Sequence, residues 1–192
     1  MWVQIGLAAS GGVTLLATNL DNLAVLVPLL LTKGRTSALA GFLGAQLIVL
    51  AIAAGFAEGA EITFSSWTGY LGVIPLALGL WGLWGQWKAS EGSVPAPRSK
   101  GTILAYLVLF LGLSTDSLAV FAPLLADTLP GYRISVLIGA GMALVGLGTL
   151  ALALSASVHK SQHLLARLER LGPYAMIAVG LYVLSNTATD AV

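Results

Sequence analysis

The chain predicts an all-α membrane protein: six transmembrane helices as two inverted three-helix repeats, with the N-terminus and C-terminus outside. Three observations lead there. The 192 residues are 57% apolar and only 9% charged, with mean hydropathy +0.91, whereas soluble domains carry about 25% charged residues. Several apolar stretches reach the ~20 residues that cross a ~30 Å hydrocarbon core, and they are continuous instead of alternating, which excludes a barrel. Two aspartates also stand in nearly the same local sequence, one in each half of the chain.

The spans follow from the apolar runs, at roughly 3–32, 37–57, 67–87, 102–127, 133–157 and 172–189. The N-terminus, Met1-Trp2-Val3-Gln4-Ile5, lacks the basic region of a cleaved signal, so the first apolar run is expected to stay as a span. Lys33-Gly34-Arg35 closes it, and Glu58-Gly59-Ala60-Glu61 closes the second. Residues 1–90 form the first repeat and 102–192 the second, joined by a cytoplasmic linker at 91–101 that holds Pro95 and Pro97. Leu129-Pro130-Gly131-Tyr132-Arg133 turns the fourth span into the fifth. From His159 to Arg170, leucines at helical spacing on a polar segment predict a short interfacial helix.

Lysine and arginine orient the spans. With the N-terminus outside, the cytoplasmic side holds Lys33, Arg35, Lys88, Arg98, Lys100, Lys160, Arg167 and Arg170, and the other side holds only Arg133. Three spans per half then force the halves into opposite orientations. Cysteine is absent, which excludes disulfides and thiolate metal sites. With net charge +1 and no basic patch carrying interleaved aromatics, no nucleic-acid partner is expected. Small-residue faces permit a homodimer.

The aspartate frames read Thr18-Asn19-Leu20-Asp21-Asn22-Leu23-Ala24-Val25 through Pro28, and Leu113-Ser114-Thr115-Asp116-Ser117-Leu118-Ala119-Val120 through Pro123. A weaker echo relates Leu78-Gly79-Leu80-Trp81 to Val179-Gly180-Leu181-Tyr182. An aspartate at bilayer depth costs at least a few kcal/mol and marks a functional site by default. Asp21 lies 12 residues from Lys33 and Asp116 lies 16 from Lys100, about 18 and 24 Å of helix, so both are deep. An inverted repeat would bring them to one midplane site.

Proline lacks an N–H, so Pro28 frees the carbonyl of Ala24 and Pro123 that of Ala119. Each freed carbonyl is three residues beyond its aspartate, on the same helix face. Candidate ligands are therefore Asp21 and Asp116, the carbonyls of Ala24 and Ala119, and the side chains of Asn22, Ser117, Thr18 and Thr115. Oxygen ligands with two negative charges suit a divalent cation, and without sulfur or histidine they favour a hard one such as manganese, magnesium or calcium. Gly41, Gly44, Gly139, Gly141, Gly146 and Gly148 read as close-packing positions, and Gln46 as a packing hydrogen bond. His159 and His163, beside basic residues, read as a solvated face.

These motifs resemble the cadmium resistance transporter family, within the lysine exporter superfamily. The resemblance rests on Ala17-Thr18-Asn19-Leu20-Asp21-Asn22, on Ser114 through Leu124, on Gly69 through Leu80 and on Gly172 through Leu184. It implies a six-span exporter of divalent metal ions, with Asp21 and Asp116 at the substrate site. This chain carries Ser114 and Ser117 where the family has glycine and asparagine, and Ala40-Gly41-Phe42-Leu43-Gly44 lacks the family's glutamine. The expectation is a plasma-membrane secondary transporter and not an enzyme, with the metal ion as substrate and no cofactor. Loss of the ion would leave two facing carboxylates that repel each other and favour uptake of a proton. An intramembrane aspartyl protease built on Asp21 and Asp116, an amino-acid exporter and a channel are the rival readings.

Overall fold

A computed structural model describes residues 2–31, 34–64, 68–88, 102–156 and 172–186. Its elements are α1 (Trp2–Thr18), α2 (Leu20–Leu30), α3 (Arg35–Phe64), a 3-10 turn (Thr68–Gly72), α4 (Val73–Lys88), α5 (Ile103–Leu113), α6 (Thr115–Asp127), α7 (Pro130–Ala156) and α8 (Gly172–Asn186). Among the described residues there is no strand.

Two helices, Arg35–Ala60 and Pro130–Ala156, are long and apolar enough to cross a membrane. At 26 and 27 residues, they are about 40 Å long. The pairs α1–α2 and α5–α6 each qualify as one broken span, giving two to four candidates, and Tyr70–Trp81 and Met176–Ser185 are shorter apolar helices. The outside of the bundle is apolar: Trp81 is 76% exposed and Met142 71%. A lipid environment explains such a surface.

Three element expectations need correction. The predicted helices 3–32 and 102–127 are each broken, at Asn19 and at Ser114, with bends of 60° and 63°. Glu58-Gly59-Ala60-Glu61 ends the apolar span, which runs Arg35–Ala60, but not the helix; α3 continues through it to Phe64, because alanine and glutamate are strong helix formers and one glycine does not stop them. Pro130, expected in a turn, opens α7, where its missing N–H costs nothing. The linker 91–101, the interfacial helix with His159 and His163, and Lys33, Arg98, Lys100, Lys160, Arg167 and Arg170 lie outside the described residues.

The packing exchanges elements between the halves. α1 lies along α7, while α3 lies along α5 and α6. On the α3–α5 face Gly41 meets Tyr106, Phe42 meets Phe110 edge to face at 5.3 Å, and Gln46 meets Ser114. Numbers rise together on both helices, so α3 and α5 run in the same direction. On the α4–α8 face Gly79 meets Pro173 and Gly72 meets Gly180 and Leu184, so those two run in opposite directions.

These contacts come in matched pairs. Asp116 follows Asp21 by 95 positions (116 − 21), and the same offset carries Gly41 onto Val136 and Gly11 onto Tyr106. Gly41 packs on Tyr106, and Gly11 packs on Val136. Likewise the shift that carries Gly79 onto Gly180 carries Gly72 onto Pro173, and both Gly79–Pro173 and Gly180–Gly72 are close approaches. Each is the same contact made twice, and each needs glycine because a Cβ would strike the neighbouring backbone.

Candidate functional site

The two breaks have one physical cause. At Asn19 the side-chain Nδ2 donates to the Leu15 carbonyl at 3.1 Å, and at Ser114 the Oγ donates to the Phe110 carbonyl at 2.7 Å. In each case a short polar side chain takes up a carbonyl of the preceding turn, a competition that bends helices. The backbone matches as well: Asn19 sits at φ −117°, ψ 14° and Ser114 at φ −95°, ψ 20°, both near the bridge region.

Each break restarts the helix just before an aspartate. Asp21 and Asp116 occupy the second positions of α2 and α6, where the helix dipole favours negative charge. Asp116 Oδ1 accepts from the Ser117 backbone N–H at 2.8 Å. Asp116 lies within electrostatic range of Asp21, and both are half-buried. The helices continue through Pro28 and Pro123, so the discontinuities fall at Asn19 and Ser114 and not at the prolines. Ala24 and Ala119 are half-buried in the second turns of these fragments.

Between the breaks lies a buried polar network. Thr18 Oγ1 donates to the Thr14 carbonyl at 3.0 Å, and Ser117 Oγ donates to Thr18 Oγ1 at 3.1 Å. Asn19 Nδ2 reaches Ser117 Oγ at 3.2 Å, joining the two breaks directly. Asn22 Nδ2 donates to Asn19 Oδ1 at 2.9 Å and to Ser114 Oγ at 3.2 Å. From α3, Gln46 Nε2 donates to Ser114 Oγ at 2.7 Å. Asn19, Asn22, Gln46, Ser114 and Ser117 are fully buried. Asn22 Oδ1 and Gln46 Oε1 are buried with no hydrogen-bond partner among the described residues.

Thus Thr18, Asn22 and Ser117 enter one network beside the aspartates. Thr115 is exposed and donates to the Gly112 carbonyl at 3.1 Å, outside it. Gln46, read as a packing residue, is a member, and so are Asn19 and Ser114. Among the described residues no three of histidine, cysteine, aspartate and glutamate cluster. The far end of α6 is fixed by Arg133, whose Nε donates to the carbonyls of Leu125 at 2.9 Å and Thr128 at 3.1 Å, a cation placed at a helix C-terminus.

The chemistry of the site is that of an electron-rich surface. The hydroxyls of Thr18, Ser114 and Ser117 are turned to carbonyls or to each other, and among the described residues the amide oxygens of Asn22 and Gln46 stay bare in the network beside the two aspartates. Such a set attracts cations and repels anions, even beside two helix N-termini, because aspartates already occupy them. No protein family, curated protein or solved structure matches the chain.

Proposed function

We propose that the chain is a six-span secondary transporter of the cadmium resistance type, which exports a divalent cation across the plasma membrane by alternating access. One observation carries the reading: two helices broken at equivalent positions, each restarting at an aspartate, with a buried polar network between them. Discontinuous helices of this kind form substrate sites in secondary transporters, because breaks within the membrane are tolerated where they line a site.

The inverted topology is supported by the packing. In an inverted pair of three-span repeats the second and fourth spans run in the same direction and the third and sixth run oppositely. The α3–α5 and α4–α8 contacts have those senses. Asp21 and Asp116 bind the ion, Asn22, Ser117 and Thr18 assist, and the emptied carboxylates take up a proton on the return. The breaks at Asn19 and Ser114 are the points about which the fragments move.

The test is efflux from loaded proteoliposomes, for manganese and cadmium, with and without a pH gradient. Asp21→Asn and Asp116→Asn are each expected to lower efflux at least tenfold. Normal efflux by both variants would overturn the site, and a rate that never saturates with ion concentration would favour a channel.

A further inference from the structure

Ser114 Oγ uses its hydrogen on the Phe110 carbonyl at 2.7 Å. It can therefore only accept from the amides of Asn22, at 3.2 Å, and Gln46, at 2.7 Å. That fixes both amides with nitrogen toward Ser114 and oxygen away. Asn22 is fixed a second time, because its Nδ2 also donates to Asn19 Oδ1 at 2.9 Å, and Asn19 itself donates to the Leu15 carbonyl. Flipping either amide would set oxygen against an oxygen with no hydrogen to offer.

Both amide oxygens are buried and without a hydrogen-bond partner among the described residues. An amide oxygen lies about 2.2 Å from its own nitrogen, so each is within about 5.5 Å of Ser114 Oγ. Ser114 precedes Asp116 by two residues, and Asn22 follows Asp21. A buried carbonyl oxygen without a donor is costly to keep, and its presence asks for an occupant. An amide oxygen is a hard ligand of the type that Ca²⁺, Mg²⁺ and Mn²⁺ take.

We infer that Gln46 Oε1 and Asn22 Oδ1 are ligands of the transported ion, so that α3 joins α2 and α6 at the site and selects a hard divalent cation over cadmium. The inference rests on the exporter reading. The arrangement is one-sided. The 95-residue offset carries Gln46 onto Gly141, which has no side chain, and Asn22 onto Ser117, whose hydroxyl lies against Thr18. The first half therefore supplies both amide oxygens, and an ion held by them ties α3 to both broken helices.

The experiment is calorimetric titration of the purified full chain in detergent with Mn²⁺ and with Cd²⁺, for wild type, Gln46→Met, Gln46→Glu, Asp21→Asn and Asp116→Asn. Methionine keeps the length and replaces a hard oxygen by a soft thioether. Gln46→Met is expected to weaken Mn²⁺ at least tenfold while Cd²⁺ weakens less or tightens. Gln46→Glu, which keeps the oxygen, is expected to hold Mn²⁺ at wild-type affinity or better. A packing role would leave the Mn²⁺ to Cd²⁺ ratio unchanged in Gln46→Met. If that happens while the aspartate variants lose binding, the amide oxygens hold only water and the inference fails, with the exporter reading intact. If wild type binds neither ion, both fail.

Discussion

At the residue scale the site turns on Ser114, which lies between α5 and α6 and whose one side-chain oxygen bonds back to the Phe110 carbonyl and receives two amides from other helices. Ser114→Ala leaves the Gln46 amide group without an acceptor and weakens the hold on Asn22. The expected cost is about 1–3 kcal/mol in reversible unfolding of the detergent-solubilised protein, since buried donors lose their partner. Thr115→Ala, one residue on, is expected to change stability by less than about 0.5 kcal/mol, because that hydroxyl is exposed and bonds only within its own turn. Equal losses in the two variants would remove Ser114 from the centre of the network. The sequence marked Asp21, Asp116, Asn22, Ser117 and Thr18 because they recur in one frame on apolar segments. It could not separate Ser114 from Thr115, since which of them faces inward depends on where the helix restarts. It marked Gln46 as a packing hydrogen bond without naming the partner, which lies 68 residues away.

At the element scale, the apolar runs were enough to place the long helices, and the breaks were hidden in plain polar residues. Proline is the usual helix breaker, yet α2 and α6 continue through Pro28 and Pro123. Asn19 and Ser114 bend the chain instead, by bonding back to the turn before them. The glycines were legible as a class and not individually. Gly139 packs against the Ala8 backbone, whereas nothing lies within 4 Å of a Cβ at Gly141. Gly139→Ala is therefore expected to lower stability by about 1–3 kcal/mol, the usual cost of overpacking. Gly141→Ala is expected to be neutral or to stabilise by up to about 1 kcal/mol, because alanine is the better helix former. Unfolding of the two variants side by side checks this, and a neutral Gly139→Ala would mean that α1 and α7 are not in close approach.

At the scale of the whole molecule, exchange of partners between the halves carries the most consequence, because inversion is what would place Asp21 and Asp116 at one depth from opposite directions. Thr36 and Gly131 are equivalent under the 95-residue offset (131 − 36), and both are exposed at the starts of α3 and α7. In a repeat that keeps its direction they face the same side of the membrane; in an inverted one they face opposite sides. The absence of cysteine makes the distinction measurable without a background. Thr36→Cys and Gly131→Cys can each be treated in intact cells with a membrane-impermeant maleimide, then again after permeabilisation. Gly131 has nothing within 4 Å of a Cβ, so a thiol there is accommodated. Gly131→Cys is expected to label in intact cells and Thr36→Cys only after permeabilisation, because Arg35 beside Thr36 belongs to the basic side, which the positive-inside rule assigns to the cytoplasm. Labelling of both from the same side would overturn the inverted repeat.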